Sequence, residues 1–366
     1  MVHSLSWFND QTIVAVSVPF LITFLLLPVV LRVARAKDIV ARVNSRTSHT
    51  GKVPLMGGLA IFTGFYIAAL LFLPNMAAQG IKEMIAGSII VIMLGIKDDI
   101  IGITPIKKLA GQTIAALILI FLGDVRFTDL HGFLGFNEIG YGWSIFITLI
   151  TIVGITNCYN LIDGVDGLAA GLGSLSLLNL AVWFYLTSNE TLMLACLMLF
   201  ASLIAFIPFN LRNHDRKIFL GDTGSMTLGF ILSFMIIRFN QANIGITAPY
   251  DLISAPAISI AIAFVPVFDT LRVTMLRLLK QKSPFHADKT HLHHNLLALG
   301  LNHGQTSLIL ILLNEAFILL AFFSQYIGTT LLLITLLITG TLVFFLPNAI
   351  LRSRKEDTGS RLIKNN

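Results

Sequence analysis

Long apolar runs separated by short polar clusters fill this chain. They cover Thr12 to Arg35, Val53 to Leu73, Glu83 to Ile96, Lys107 to Leu122, Trp143 to Cys158 and Gly167 to Thr187. Thr191 to Asn210, Thr223 to Arg238, Leu252 to Leu279, Thr306 to Ser324 and Gly328 to Leu346 follow. A helix needs about 20 apolar residues to span a bilayer, so the pattern predicts an all-α, polytopic membrane bundle of about 10–11 transmembrane helices. Glu83 to Ile96 is short for a span and borrows flanking residues. Residues 1–350 read as one transmembrane domain, and 351–366 as a polar, disordered tail.

Composition agrees with that pattern. The 366 residues are 55% hydrophobic and 12% charged, whereas soluble domains carry about 25% charged residues. Cys158 and Cys196 form no disulfide framework or CxxC pair,. Val2 to Gln11 lacks the basic region of a cleavable signal peptide,. With the N-terminus outside, 22 of the 25 lysines and arginines fall on the cytoplasmic side, leaving Lys82, Arg126 and Arg238 outside,. The C-terminus is then cytoplasmic. The net charge of +6 reports topology and an anionic ligand or leaflet, not nucleic acid.

The same topology brings the acids to the cytoplasmic helix ends. Asn157, Asn160 and Asp163 are spaced three apart, which stacks them on one face if the helix continues,. Gly164 and Gly167 flank Asp166 and break the helix; an ordinary Asn/Asp/Gly turn is the plain alternative,. Lys97-Asp98-Asp99 ends the third run near Lys107 and Lys108, and carboxylates beside lysines suit magnesium-assisted phosphoryl transfer. Asp222 opens the eighth run after the charged stretch Arg212 to Lys217, where it can serve as a helix cap,. With the Asn160 side-chain oxygen it also makes a hard-oxygen pair for Mg²⁺. The stretch Ser283 to His294 carries His286, His291, His293 and His294. No companion set completes a zinc site there, and imidazole and lysine donors fit a diphosphate. The glycines of the stretch Gly51 to Gly58, which opens the second helix, allow either helix packing or contact with a phosphate,. Asp269, near the inner end of the ninth run, can cap or pair with Arg272 as readily as do chemistry, and the mid-span Glu315 receives no role from the sequence beyond packing into the bundle interior.

Five of these motifs, in order, resemble the polyprenyl-phosphate N-acetylhexosamine-1-phosphate transferase family. They are Pro54-Leu55-Met56-Gly57-Gly58, Asp98-Asp99, Asn157-x-x-Asn160-x-x-Asp163-Gly164-x-Asp166-Gly167, Gly221-Asp222-x-Gly224-Ser225 and His291-x-His293-His294. The chain looks most like the bacterial branch that transfers N-acetylglucosamine 1-phosphate to undecaprenyl phosphate. The branch acting on N-acetylmuramoyl-pentapeptide typically has three consecutive histidines, where this chain has His291-Leu292-His293-His294.

The resemblance implies a UDP-amino sugar donor, undecaprenyl phosphate as acceptor, UMP release, and Mg²⁺ (or Mn²⁺) as cofactor. Asp98, Asp99, Asp163 and Asp166 would be the catalytic acids, with Asp98 or Asp99 handling the acceptor's proton. Asn160 and Asp222 would hold the metal. Asn157, Lys108, Arg212, His291, His293 and His294 would bind substrate. It also implies the bacterial cytoplasmic membrane, with the site facing the cytoplasm and a homodimer left open. Another UDP-sugar specificity is the same-chemistry alternative. A secondary transporter is the other class, but transporters bind near the midplane, and these acids lie at helix ends.

Overall fold

The computed structural model describes residues 10–40, 53–212, 216–283 and 290–364. Within them the chain forms α1 (Asp10–Ala36), α2 (Gly57–Phe72), α3 (Ile81–Ile101), α4 (Pro105–Leu122) and α5 (Tyr141–Ile162). Helices α6 (Leu168–Leu186), α7 (Glu190–Leu211), α8 (Gly221–Asn243), α9 (Ala255–Ile262) and α10 (Phe264–Leu279) follow. Last come α11 (Leu292–Ala298), α12 (His303–Phe323) and α13 (Thr329–Lys364). Seven helices are long and apolar enough to cross a membrane, and the bent pair α9–α10 makes an eighth. The remaining three of the eleven apolar runs are helical too, as α2, α3 and α8.

Helix α8 is the axis of the bundle. It is buried at 19 of its 23 residues, and a helix apolar and buried on every side is a core helix. Helices α2, α3, α5 and α6 pack around it, while α1 and α7 form an outer layer against α2 and α6. Glycines set how closely the central helices approach. A Cβ on Gly95 of α3 would lie 2.3 Å from the Thr223 Cα, and one on Gly58 of α2 would lie 2.3 Å from the Gly224 Cα. These backbones touch, as membrane helices do where small residues meet.

Three features depart from the sequence reading. The run Leu252 to Leu279 is broken rather than continuous, with α9 and α10 meeting at 82°. A break in an apolar bundle frees backbone groups that must find partners. Here Ser176 Oγ and Asn314 Nδ2 donate to the Ile262 carbonyl at 2.9 and 3.1 Å, and Val265 N–H donates to Asn314 Oδ1 at 2.9 Å. Next, the all-α bundle carries one small hairpin, β1 (Asp129–Phe133) with β2 (Phe136–Glu138), antiparallel. Thr329 Oγ1 donates to the His131 carbonyl and Leu134 N–H donates to Thr330 Oγ1, at 2.6 and 2.7 Å, pinning the hairpin to α13. Finally, the tail continues α13 to Lys364 instead of being irregular; its Leu, Arg, Lys and Glu residues are good helix formers and carry the helix past Gly359,.

The polar termini of α3, α5 and α8 meet at the N-terminal end of α4. The hairpin lies beyond the other end of α4, about 27 Å away for 18 residues at 1.5 Å each,. Gly95→Ala should lower stability by about 1–3 kcal/mol through overpacking against α8, read as a drop in unfolding temperature in detergent. Gly142→Ala, with nothing within 4 Å of its added methyl, should leave that temperature unchanged.

Candidate active site

Asp99 ties two helix ends together. Its Oδ1 accepts the Asp222 N–H at 2.8 Å, and its Oδ2 accepts the Thr223 N–H at 3.1 Å and the Thr223 hydroxyl at 2.6 Å. The first amides of a helix lack internal partners, so a carboxylate from α3 caps α8. Gly221 makes this approach: its φ is +75°, and a Cβ there would sit 2.8 Å from Asp99 Oδ2.

Asp98 points into the space left beside that cap. Its Oδ1 accepts the Ile103 N–H at 2.7 Å, shaping the turn into α4, where Pro105 sits at the first position. Its Oδ2 pairs with Lys108, and the same ammonium pairs with Asp222. Asp98 and Asp222 are also within hydrogen-bonding reach of each other. Asn160 donates to Ser225 Oγ at 3.0 Å and hydrogen-bonds Asp222. One turn earlier, Asn157 Nδ2 donates to Gln112 Oε1 and the Val153 carbonyl, both at 2.7 Å. Helix α5 ends at Ile162, so Asp163 leaves the face shared by the two asparagines and caps the helix end instead. Burial pushes the Asp163 carboxyl well above the usual carboxylate range, and the charges of Asp222, Asp99 and Asp166 push it further.

Lys108 thus pairs with Asp98 and Asp222, Asp99 caps the helix start beside them, and Asp163 lies close enough to feel the charges of Asp222 and Asp99, so four hard-oxygen side chains share one end of the bundle. Among the described residues, no three His, Cys, Asp or Glu side chains form a ready-made metal cage. A magnesium ion that draws most ligands from water and phosphate needs no such cage, so the donor set fits one. In this arrangement Asn160 meets Asp222 through its amide nitrogen; turning the amide over presents the oxygen.

Asp166 belongs to an adjoining network. Its Oδ2 pairs with Lys217 at 2.6 Å and with His303 Nδ1 at 3.3 Å, and Ser307 donates to its carbonyl at 2.7 Å. Asn210 accepts the Gly167 N–H at 2.5 Å and donates to the Ile218 carbonyl at 3.0 Å. The histidines sit on or beside α11. A Cβ on Gly164 would lie 3.0 Å from His293 Nε2, so this imidazole rests on the Asp163–Gly167 turn. The rings of His291 and His294 lie 5.5 and 4.2 Å from that of His293. Burial, with His294 beside it, holds His293 down to about 3, so it is neutral at physiological pH.

Arg212 stands apart from these groups, exposed, its guanidinium 5.5 Å above the Phe209 ring. His286 and Asp215 lie outside the described residues. Gly57 and Gly58 donate their N–H groups to the Phe219 and Leu220 carbonyls at 2.9 and 3.0 Å, so the Pro54–Gly58 motif packs rather than offering amides to a phosphate. Gln112, Lys217 and His303 escaped sequence reasoning. Gln112 alone carried a usable signal, a polar residue four after Lys108 inside an apolar run.

On the flank of α5 that carries Cys158 runs an apolar cavity of about 380 Å³. Ile147, Ile150, Ile155, Ile260 and Val267 line it. A second cavity of about 300 Å³ adjoins it through Phe133, Val267 and Leu333.

Residues 81–240, which carry Asp98, Lys108, Asn160, Asp163 and Asp222, match Glycosyl transferase family 4. A Bacillus subtilis (strain 168) protein called probable undecaprenyl-phosphate N-acetylglucosaminyl 1-phosphate transferase is 34% identical over 84% of each chain. The Mycobacterium leprae decaprenyl-phosphate N-acetylglucosaminephosphotransferase is 31% identical over 76% of this chain and 75% of its own. The undecaprenyl-phosphate alpha-N-acetylglucosaminyl 1-phosphate transferase of Escherichia coli (strain K12) is 27% identical over 89% and 87%. This multi-pass membrane protein belongs to glycosyl transferase family 4.

The Lys217–Asp166 pair is a structural element with a measurable cost of removal. Lys217→Met should destabilise by about 3–5 kcal/mol, because it takes the lysine cation away from a buried carboxylate,. Adding Asp166→Asn should recover most of the loss, as followed by thermal unfolding.

Proposed function

We propose that the protein transfers N-acetylglucosamine 1-phosphate from UDP-N-acetylglucosamine to undecaprenyl phosphate. The products are undecaprenyl-diphosphate-N-acetylglucosamine and UMP, the first membrane step in making a cell-surface polysaccharide. The observation that carries this reading is the pairing of Asp98 and Asp222 on Lys108 with Asp99 and Asp163 beside them, together with an apolar cavity along α5 suited to a prenyl chain. The activity in the names of the Bacillus subtilis and Escherichia coli relatives supports it.

The reaction joins two phosphates, so anionic repulsion is its main obstacle. Asp222 and Asn160 are the residues that would hold a divalent cation, Mg²⁺ or Mn²⁺. When bound, such an ion neutralises the diphosphate charge that grows as UMP leaves. Lys108 contributes positive charge to the same phosphates while keeping Asp98 and Asp222 together. Asp98 orients the acceptor phosphate and takes its remaining proton; with a second phosphate pKa near 6, orientation dominates at neutral pH. Asp99 holds the start of α8 so that Asp222 faces the substrate. The turn Asp163–Gly167 and the neutral His293 hydrogen-bond the donor, with Asn157 supporting the wall behind. The acceptor's prenyl chain lies along α5 in the apolar cavity, and its head reaches the acids at the helix ends. The surplus of lysine and arginine at these helix ends supports a site at the cytoplasmic face.

UMP release by the purified protein should require undecaprenyl phosphate. In a panel that also includes UDP-N-acetylgalactosamine and UDP-N-acetylmuramoyl-pentapeptide, UDP-N-acetylglucosamine should be preferred. Chelation with EDTA should abolish turnover and added Mg²⁺ restore it. Asp222→Ala and Lys108→Ala should each cut kcat by about 10²–10³-fold; release independent of lipid, or full activity in Asp222→Ala, would overturn the assignment. Both native cysteines are buried, so exposed Lys97 makes a clean topology probe. Lys97→Cys should react with impermeant maleimide only from the cytoplasmic side.

A further inference from the structure

Asp269 is the most buried acid that the reaction scheme leaves without work, at 2% exposure. A carboxylate is kept in such a place only when its oxygens are filled. Asp269 fills them from three directions. Oδ1 accepts Arg272 Nη2 at 2.7 Å and the Leu292 N–H at 3.1 Å, and Oδ2 takes His291 Nδ1 at 2.9 Å and the Leu292 N–H at 3.2 Å. Arg272 Nη2 also donates to the Thr290 carbonyl at 2.7 Å. A helix-borne acid and its arginine thus grip both the backbone and the side chain where the chain enters α11.

The chemistry of the imidazole turns this grip into orientation. A carboxylate only accepts, so the Nδ1 facing it carries the proton, which fixes the ring and turns Nε2 to the opposite side. The ring then stacks on His293 with 9° between planes, and His293 rests on Gly164 in the turn that holds Asp163 and Asp166. On its other flank the clamp meets α5, where Cys158, next to Asn157, hydrogen-bonds Thr270. The chain of contacts runs from Asp269 through His291 and His293 to the turn, and Asp269 stands at its buried end.

We propose that Asp269 is a positioning residue for donor capture: by fixing His291 through Nδ1 and anchoring Leu292, it sets the histidine pair against the Asp163–Gly167 turn without touching the UDP-sugar. This rests on the reading of α11 as part of the donor site. Arg272 completes the clamp by tying Thr290 to the same carboxylate.

The test compares Asp269→Asn, His291→Gln and the double variant in the purified full-length protein, with KM for UDP-N-acetylglucosamine, KM for undecaprenyl phosphate and kcat measured. Asp269→Asn should raise the donor KM about 10- to 100-fold, as loss of a ligand-orienting partner does, while the acceptor KM stays within about twofold. The double variant should be no worse than the weaker single one, because both act through one imidazole. Additive losses, or equal rises in both KM values, would overturn the proposal. Should Asp269→Asn not fold, Asp269→Glu keeps the charge but displaces it by one methylene, and the same donor-selective rise is expected. A His291→Gln change that alters the donor KM while Asp269→Asn does not would sink the positioning role alone. An unaffected donor KM in His291→Gln would sink the reading of α11 itself.

Discussion

A carboxylate from one helix capping the amides of another is the interaction on which this bundle's chemistry depends. Asp99 accepts three hydrogen bonds from the first residues of α8, and a helix N-terminus favours negative charge. Three consequences meet at that point. The end of α3 is locked to the start of α8, Asp98 is turned toward Lys108, and Asp222 is left pointing into the same space. Of two adjacent aspartates, one is therefore committed to architecture and the other to the pocket. Their order follows from the helix: residues 98 and 99 are about 100° apart around its axis, so one carboxylate faces α8 and the other α4.

The same rule governs the rest of the interior. Polar groups buried in an apolar bundle persist where partners surround them, and here several of them sit at interruptions. Asn314 and Ser176 satisfy the break between α9 and α10. Asn210 fastens Gly167 to Ile218, and Asn243 closes the loop at Leu252 with bonds of 2.8 and 3.0 Å. Single amides thus do in this interior what ordered water does in soluble proteins.

Hydrophobic pattern alone made the helices legible, because about 20 apolar residues have few alternatives in a membrane. All eleven runs are helical. The break at Ala263 was not legible, since the run stays apolar throughout and Pro266 lies in the first turn of α10, where proline is tolerated. The hairpin lacked the alternating pattern that betrays a strand. Among site residues, spacing brought out Asn157, Asn160, Asp98, Asp99 and Asp222, and the structure brings all but Asn157 to the acid cluster at the start of α8. Spacing misled at Asp163, where helix α5 ends one residue too soon. At Asp269 the pairing with Arg272 was legible from its spacing of three, but the contacts to His291 and Leu292 were not, because those residues lie more than 20 positions away along the chain.

The contacts at Gly58, Gly95 and Gly224 bear on how such a protein lives in lipid. Bilayers differ in thickness, and spanning helices commonly tilt to match them. Helices whose main chains already touch have no slack for sliding, so α2, α3 and α8 keep their tilt together as one rigid trestle. Adaptation to a thinner or thicker membrane falls to the lipid-facing α1, α12 and α13, and the acids stay in register whatever the surrounding lipid demands.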